Sequence, residues 1–466
     1  MHRFLRPCVA LVCINWLLFS ASQQVETPAN QVETSNQAQK PVRVNATTGR
    51  NLIPPGYVFQ PNIPHDLVTE NLGAIGNQPF VDNLAWQSFI ALNWPVPEHI
   101  TQRGVPDRQN LIGGFVDTGE GGKKVSPTGP TVWETFKNAF DIYLNPPTQP
   151  TSFDTPPIVP AECGNMAGVN VLYEYLQAFT GAPLIDQNGE KVWYQVNLNR
   201  VYFDYVVDHK YYDSRNQKGA KIEFPESSNT TANPATVRIK AAWKVMGGPN
   251  SKQPDNKSRF YTSQAILYDP VTKTCRSELM GLVGLHIVIK TELLPQWMWA
   301  TFEQVDNAPD QDSGPQQGVT YNFYDPNCKD CPVNTPPAPD STTPTQVMRV
   351  VPVSSFAPNQ VFQEALKSLR KDNVWQYYEL VDAQWGASAE PLGVPNQPKY
   401  LANTTMETYL QEPVDDPSAP HGCINCHGTY AGDTDLDFQL KRAYPHEKTF
   451  AQRFLVSRTS LKPEDR

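Results

Sequence analysis

A Cys-Ile-Asn-Cys-His run lies near the C-terminal end of this chain, at residues 423–427. Two closely spaced cysteines followed at once by a histidine are typical of haem c attachment: the thiols add to the haem vinyl groups and the histidine binds the iron. The chain has 466 residues, so only 39 follow His427. Because so short a tail is unable to wrap a haem alone, we expect Cys423, Cys426 and His427 to hold one haem c that the upstream region covers or leaves partly exposed.

Two other uses of this motif fit the same residues. One is a disulfide between Cys423 and Cys426 with an adjacent histidine. The other is half of a zinc site, which would need two further ligands that His421 and His446 could supply. Expected export of the chain favours haem, because bacterial haem c attachment takes place outside the cytoplasm.

The second axial ligand of the iron is left open by the sequence. No methionine follows His427, and His446 is the only histidine after it. Met406 lies 17 residues before Cys423, and His286 lies in an apolar segment, where a hydrogen-bonded core histidine is the ordinary interpretation. A water-bound or vacant position, His446, Met406 and another upstream residue all stay open.

The first 22 residues predict a cleaved signal peptide. Arg3 and Arg6 form a basic start, residues 9–19 are mostly apolar, and residues 20–22 are small. An uncleaved anchor is the alternative, although the apolar stretch is short for a membrane span. We therefore expect a periplasmic or secreted protein whose mature chain has no membrane span.

The net charge of the chain limits which classes of partner it is suited to bind. Lysine and arginine number 38 against 47 aspartates and glutamates, which gives a formal net charge of −9. An acidic chain without a basic run is poorly suited to nucleic acid. A basic redox partner protein, such as a small cytochrome, would be favoured electrostatically, and the oligomeric state is not indicated.

Composition divides the chain into six successive segments with different expected structures. They are a signal peptide (1–22), a disordered linker (23–50), a large α+β domain (51–331), a proline-rich loop (332–345), a continuation of the α+β domain (346–410) and a c-type haem segment (411–466).

Apolar periodicity predicts an α+β fold with a mainly antiparallel sheet, flanking helices and a short helical or loop segment around the haem motif. The expected helices are Val81–Asn93, Val132–Leu144, Gln296–Val305 and Asn359–Leu369. The expected strands are Val192–Leu198, Val201–Val207, Val237–Val245, Tyr261–Leu267, Leu279–Ile289, Val347–Val353 and Val374–Ala383. The absence of βαβ alternation argues against a doubly wound sheet.

A second Cys-x-x-Cys pair, Cys328 and Cys331, lacks the following histidine and so does not predict a second haem. In an oxidising compartment a disulfide is expected, either within this pair or to Cys163 or Cys275. A redox-active dithiol is the alternative.

Acidic and aromatic residues meet in the expected helix at 296–305. Trp299, Glu303 and Asp306 would share one face of it. Carboxylates near a haem could move protons, although an amphipathic helix with core tryptophans is the ordinary interpretation.

Several longer sequence segments of distinctive composition occur together in this chain. They are AWQSFIALNWP from Ala85, AAWKVM from Ala241, RFYTSQAILYDP from Arg259, GLVGLHIVIKT from Gly281, PQWMWATFEQVDN from Pro295 and ETYLQ from Glu407, ahead of CINCHG. Over most of residues 80–440 the chain resembles a group of exported bacterial proteins described only as cytochrome c family proteins. The resemblance implies a large N-terminal domain with one C-terminal haem. It carries over Cys423, Cys426 and His427 and no reaction.

Three functions are compatible with one exported haem. The first is electron transfer by a redox module, favoured by the lack of a recognisable catalytic motif. The second is a haem enzyme of the peroxidase or oxygenase kind, favoured by a size far beyond what electron transfer requires. The third is a haem-based ligand-binding or sensor module, so the sequence leaves open whether the protein is an enzyme.

Overall fold

The fold is known for most of the chain between residues 59 and 444. The computed structural model describes residues 59–67, 78–117, 123–125, 129–166, 170–231, 233–386, 388, 393, 398–411 and 422–444. These residues belong to one compact unit, Lys40–Arg466. The expected signal peptide (1–22) and linker (23–50) lie outside the described residues, as do His421 and His446.

A sheet of eight strands forms the centre of the fold. Its strands are β3 (Lys137–Asn138), β4 (Asn170–Leu172), β5 (Trp193–Leu198), β6 (Val237–Val245), β7 (Thr262–Asp269), β8 (Thr274–Thr291), β9 (Leu294–Gln304) and β10 (Tyr378–Gln384), while β1 (Phe115–Asp117) and β2 (Lys123–Val125) form a separate ladder. The main order is β10-β9-β8-β6-β5-β3, and β7 pairs with both β8 and β4. Only the β4–β7 pair is parallel among the described strands. The predicted α+β fold with a mainly antiparallel sheet is confirmed.

Five α-helices flank the sheet in the part of the chain that the structure describes. They are α1 (Gln78–Leu92), α2 (Ala139–Ile142), α3 (Arg200–Asp208), α4 (Phe356–Leu369) and α5 (Cys423–Ala431). Helices α1 and α4 confirm two predictions from periodicity, and α5 shows that the expected short helical or loop segment at the haem motif is helical. None of the described helices combines the length and apolarity that a membrane crossing requires.

The prediction of a helix over 296–305 was wrong, because this segment is strand β9. Trp299, Thr301 and Glu303 alternate there with residues of the opposite face, which is the period of a strand. Positions 299 and 303 share a face in a helix and in a strand alike, so their spacing did not separate the two structures. Asp306 lies beyond the end of the strand.

Four other segments also differ from their predictions. Residues 201–207 lie in helix α3 rather than in a strand, because the Asn199 side chain caps the helix by accepting from the Tyr202 N–H at 3.1 Å. Residues 132–144 divide into the 3₁₀ turn Trp133–Thr135, β3 and α2 instead of one helix. Residues 347–353 form no strand, and residues 374–383 begin with the 3₁₀ turn Val374–Tyr377 before β10.

One face of the sheet is apolar and packs against helices. Ile239, Ile287 and Phe302 are fully buried there. The Phe302 ring lies 5.1 Å from that of Trp86 in α1, and the Trp86 ring stacks on Phe362 of α4 at 5.0 Å. Burying a side chain of this size stabilises the fold by about 1.5–3 kcal/mol, so this layer gives the sheet a firm support.

The opposite face of the sheet, here named the polar face, carries charged and polar side chains. They are Arg238 and Lys240 of β6, His286 of β8, and Trp299, Thr301 and Glu303 of β9. Lys240, His286 and Thr301 lie beside one another across three strands. The C-terminal part of the chain covers this face: the Asn403 side-chain amide donates to Thr301 Oγ1 at 2.8 Å. The segment after His427 also packs on this face, because Asp437 pairs with Arg238 at 2.9 Å.

Four of the described cysteines are paired. Cys163 is bonded to Cys275, and Cys328 is bonded to Cys331. This gives a partner to each cysteine whose pairing the sequence left open. Of the described cysteines, Cys423 and Cys426 are the free thiols.

Buried carboxyl groups predict that the protein is more stable in mild acid than above neutral pH. Burial, and next the charge of Asp382, raise the pKa of Asp82 to about 7, and burial raises the pKa of Asp382 to about 6. Gln78 Nε2 bridges the two carboxyls at 2.9 Å from each. Since the unfolded chain loses these protons first, the free energy of unfolding falls as pH rises from about 4 through about 7, by on the order of a few kcal/mol.

Replacement of Asp82 tests this expectation. Asp82→Asn removes one of the groups, so the difference in urea midpoint between pH 5 and pH 8 should shrink. The same change at the exposed Asp312 should leave that difference as it is in the wild type. An Asp82→Asn variant with the full wild-type difference would show that Asp82 is not the source.

Candidate functional site

Helix α5 presents the two free thiols together. Cys423 and Cys426 are three positions apart on the helix, so their side chains lie on the same face. Both are partly buried, and Cys423 packs against the main hydrophobic core. Ile424 between them is fully buried, and its N–H donates to Gln384 Oε1 of β10 at 2.7 Å. The sheet therefore fixes the position from which the thiols project.

The surroundings of the two thiols hold them protonated. Burial, followed by the negative charge of Glu407, raises the pKa of Cys426 to about 12 and moves the pKa of Cys423 above its usual range as well. The charge of Lys240 opposes this for both groups but has a smaller effect. Neither cysteine is a ready thiolate ligand in this environment.

His427 has one ring nitrogen fixed by the backbone and the other left for a ligand. Its Nδ1 lies 2.7 Å from the carbonyl oxygen of Leu436. A carbonyl accepts and never donates, so Nδ1 carries the proton and Nε2 keeps its lone pair. Burial, and next the charge of Arg238, hold the pKa of His427 well below its usual range, against the opposing effect of the bond to Leu436. A neutral histidine with this tautomer is the form that binds a metal through Nε2.

An unusual turn aims the Leu436 carbonyl at His427. Asp435 and Leu436 both adopt the left-handed conformation, with φ of 52° and 61°. This conformation costs on the order of 1–2 kcal/mol for a residue such as leucine. It is held from the sheet side, because Asp435 pairs with Lys290, accepts from the Phe224 N–H at 2.8 Å and accepts at its carbonyl from Trp297 Nε1 at 3.1 Å. Strain that many contacts maintain in this way is common at functional sites.

Two tryptophans of β9 connect the sheet to His427. The β8–β9 pairing shifts register between Ile289 and Thr291, and Trp297 opposite this shift has a positive φ of 65°. Such a bulge changes the direction in which a side chain points. Trp297 reaches Asp435, while the Trp299 ring lies 4.2 Å from the His427 ring. The sheet thus supports both His427 and the turn that orients it.

Incompletely buried aromatic side chains lie next to His427. The Phe438 ring packs edge-on to His427 at 4.5 Å, and Phe179 lies 5.9 Å from Phe438 and 5.2 Å from Tyr430. Tyr430 is 44% exposed, and Phe179 and Phe438 are half-buried. Apolar surface of this kind beside two free thiols and an available imidazole fits a flat apolar group such as haem.

A polar cluster on the same face of the sheet lies near the thiols. His286 Nε2 is 3.1 Å from Glu407 Oε1, and Lys240 Nζ is 3.9 Å from the same oxygen. Burial would raise the pKa of Glu407, but the charge and hydrogen bond of His286, the charge of Lys240 and the Asn403 N–H together lower it to about 2. Glu407 is therefore ionised at neutral pH, and its charge acts on both cysteines.

The structure brings Cys423, Cys426 and His427 together as the motif predicts. Of the candidates for a second axial ligand, Met406 is 1% exposed and packs in a separate hydrophobic cluster, and a Cβ at Gly284 would lie 3.1 Å from its methyl carbon. His286 is paired with Glu407. The described residues therefore leave the second axial position open, and His446 lies outside them.

The other residues that the sequence suggested have separate roles. Glu303 is bound by Arg349 and Thr404, and Asp306 pairs with Arg259, so neither carboxyl group is free. Arg442, in the segment after the motif, pairs with Glu174 at 2.8 Å. Of the predicted aromatic and acidic group, Trp299 alone contacts His427.

Three residues of the site were missed by the sequence interpretation: Arg238, Trp297 and Leu436. Arg238 did carry a signal, since apolar and charged residues alternate from Val237 to Lys240, which is the pattern of a strand with one polar face. Trp297 and Leu436 carried none, because their roles depend on positive φ angles at residues that rarely adopt them.

A zinc site at Cys423 and Cys426 would need further ligands, and the described part of the chain does not provide them. No group of three or more histidine, cysteine, aspartate or glutamate side chains able to hold a metal ion occurs there. His421 and His446, the ligands that the alternative requires, lie outside it.

No protein-family model, curated protein or solved structure matches the chain.

Proposed function

We propose that this protein is an exported monohaem c-type cytochrome that binds haem covalently and transfers electrons. The observation that carries the proposal is the hydrogen bond from His427 Nδ1 to the Leu436 carbonyl, which leaves Nε2 for the iron. Cys423 and Cys426 would form thioether bonds with the two vinyl groups. The bound haem would supply the one-electron chemistry of its iron.

The other described cysteines support export. Cys163 is bonded to Cys275 and Cys328 to Cys331, as is usual for proteins of oxidising compartments. Cys423 and Cys426 are free in the same chain, although their spacing equals that of Cys328 and Cys331. This difference is expected if Cys423 and Cys426 bond haem instead of forming a disulfide.

Partial exposure of the site supports electron transfer to another protein. The thiols are partly buried and Tyr430 is 44% exposed, so one side of the site reaches the surface. A haem edge near the surface can exchange electrons with a docked partner without a channel for substrate. The acidic chain favours a basic redox partner protein.

A haem enzyme of the peroxidase or oxygenase kind is the second candidate, and the cluster of His286, Glu407 and Lys240 favours it. These groups are partly buried, lie on the same face of the sheet as Trp299, and act electrostatically on His427 or the thiols. A histidine paired with a carboxylate can take up and release a proton during a reaction.

Absorption spectra of the oxidised and reduced protein, with and without carbon monoxide, separate the two candidates. The electron carrier is expected to show a low-spin, six-coordinate iron whose reduced form does not bind carbon monoxide. An enzyme is expected to show a high-spin iron, carbon monoxide binding and peroxide-dependent oxidation of a dye. Ready binding of carbon monoxide would contradict the electron-carrier proposal.

A further inference from the structure

Arg238 of β6 shares a hydrogen-bond acceptor with His427. The side chain is buried in the polar face, and the residue is 5% exposed. Its Nη1 donates to Asp437 Oδ1 at 2.9 Å and to the Leu436 carbonyl oxygen at 3.3 Å. The same carbonyl accepts from His427 Nδ1 at 2.7 Å. Arg238 and His427, the candidate iron ligand, are therefore linked through a single carbonyl oxygen.

The guanidinium of Arg238 is incompletely paired for so buried a charge. Its Nε and Nη2 have no hydrogen-bond partner among the described residues. Instead the group lies over the Trp297 and Trp299 rings, 4.2 and 4.9 Å from their centroids, and Trp299 in turn contacts His427. Indole faces stabilise a buried cation, but they replace its missing hydrogen bonds only in part. A cation is thus kept beside His427 at a cost in stability.

A fixed cation at this position acts on the oxidation state of a haem iron. Oxidation adds one positive charge to the iron, and a nearby positive charge in surroundings of low dielectric constant opposes that step. Arg238 also competes for the Leu436 carbonyl, which weakens the bond from His427 Nδ1 and lowers the basicity of Nε2. Both effects favour the reduced iron. Asp437, whose carboxyl is fully buried, has the opposite charge and limits them.

We propose that Arg238 raises the reduction potential of the haem iron, both by its positive charge and through the Leu436 carbonyl that it shares with His427, and that Asp437 moderates this effect. The inference rests on the proposed haem attachment. It assigns a role in setting the potential to two residues outside the Cys-x-x-Cys-His motif.

Reduction potentials of the haem-loaded full-length protein test this role. Arg238→Gln removes the cation and leaves the negative charge of Asp437 uncompensated by an arginine, so the equilibrium between oxidised and reduced iron should shift at least tenfold toward the oxidised form, a fall of about 59 mV for one electron. Asp437→Asn keeps the cation and should shift the potential upward. Arg238→Lys keeps the charge and should restore most of the wild-type potential.

The opposite signs separate an electrostatic role from simple loosening of the site. Loosening admits water and lowers the potential in both variants, so downward shifts in both, or no shift in either, would overturn the proposal. If Arg238→Gln fails to load haem, an unchanged potential in Asp437→Asn overturns it as well. Absence of covalent haem from the denatured wild-type chain would overturn the proposed function itself. Haem-loaded variants whose reduction potentials do not shift in opposite directions would overturn only the role of Arg238.

Discussion

Residues 400–466 expressed alone in a haem-attaching host are expected not to reproduce the absorption spectrum of the full-length protein. The fragment retains Cys423, Cys426 and His427, but it lacks the whole polar face of the sheet. A haem edge left in water is unfavourable, and the fragment has too few apolar residues to cover it. We expect loss of the protein by degradation or a spectrum of exposed haem.

Ion pairs and hydrogen bonds to the sheet, which this fragment cannot form, explain the size of the expected effect. Asp437 would lose Arg238, Asp435 would lose Lys290, and the Ile424 N–H would lose Gln384. Without the sheet these carboxylates would be solvated, and nothing would hold the segment after the motif in its folded conformation. The left-handed turn at residues 435 and 436 would then relax, and the Leu436 carbonyl would no longer orient His427.

A longer chain of residues 59–466 is the control for this experiment, with the same signal peptide placed before it and before the fragment. It keeps every strand of the sheet and should give the full-length spectrum. The ring contact of Trp299 places the sheet against His427 itself. Contact between the large domain and the opposite face of the haem stays a prediction. A stable fragment of residues 400–466 with the full-length spectrum would show that the sheet does not surround the haem.

Replacement of Cys423 and Cys426 by alanine is expected to abolish covalent haem attachment. Each single variant keeps one thiol and should weaken or abolish attachment, while the double variant has none and should release all haem on denaturation. Loss of two partly buried thiols removes little packing, so the fold should survive. Haem content after denaturation and solvent extraction is the measurement.

The second Cys-x-x-Cys pair provides a matched control. Cys328→Ala with Cys331→Ala removes two cysteines at the same spacing, without a following histidine, from a different part of the chain. This variant should keep its full complement of covalent haem. Haem that stays on the denatured chain after both Cys423 and Cys426 are replaced would refute the assignment.

The sequence was informative where a pattern is local. The Cys423, Cys426 and His427 motif indicated a short helical or loop segment, where the structure has helix α5, and strand-favouring composition predicted β5 and β6 closely. It misled at residues 296–305, because Trp299 and Glu303, four positions apart, share a face in a helix and in a strand alike. Pairing with β8 and β10 makes this segment a strand, and β10 is distant in the sequence.

Orientation of His427 could not be predicted from local sequence. It depends on a left-handed Asp435-Leu436 turn that contains no glycine or asparagine to indicate it. The turn exists because Phe224, Lys290 and Trp297, which are remote in the chain, bind Asp435. Only the assembled sheet brings these groups together, and Arg238 joins the site by the same route.

The most direct test of covalent haem attachment is the haem content of the mature wild-type protein after denaturation and acid–acetone extraction, with mass analysis of the peptide that contains residues 423–427. We predict that one haem stays on the chain and that this peptide carries it. Complete extraction of the haem, or a haem-free peptide in which Cys423 and Cys426 form a disulfide, would contradict the proposal.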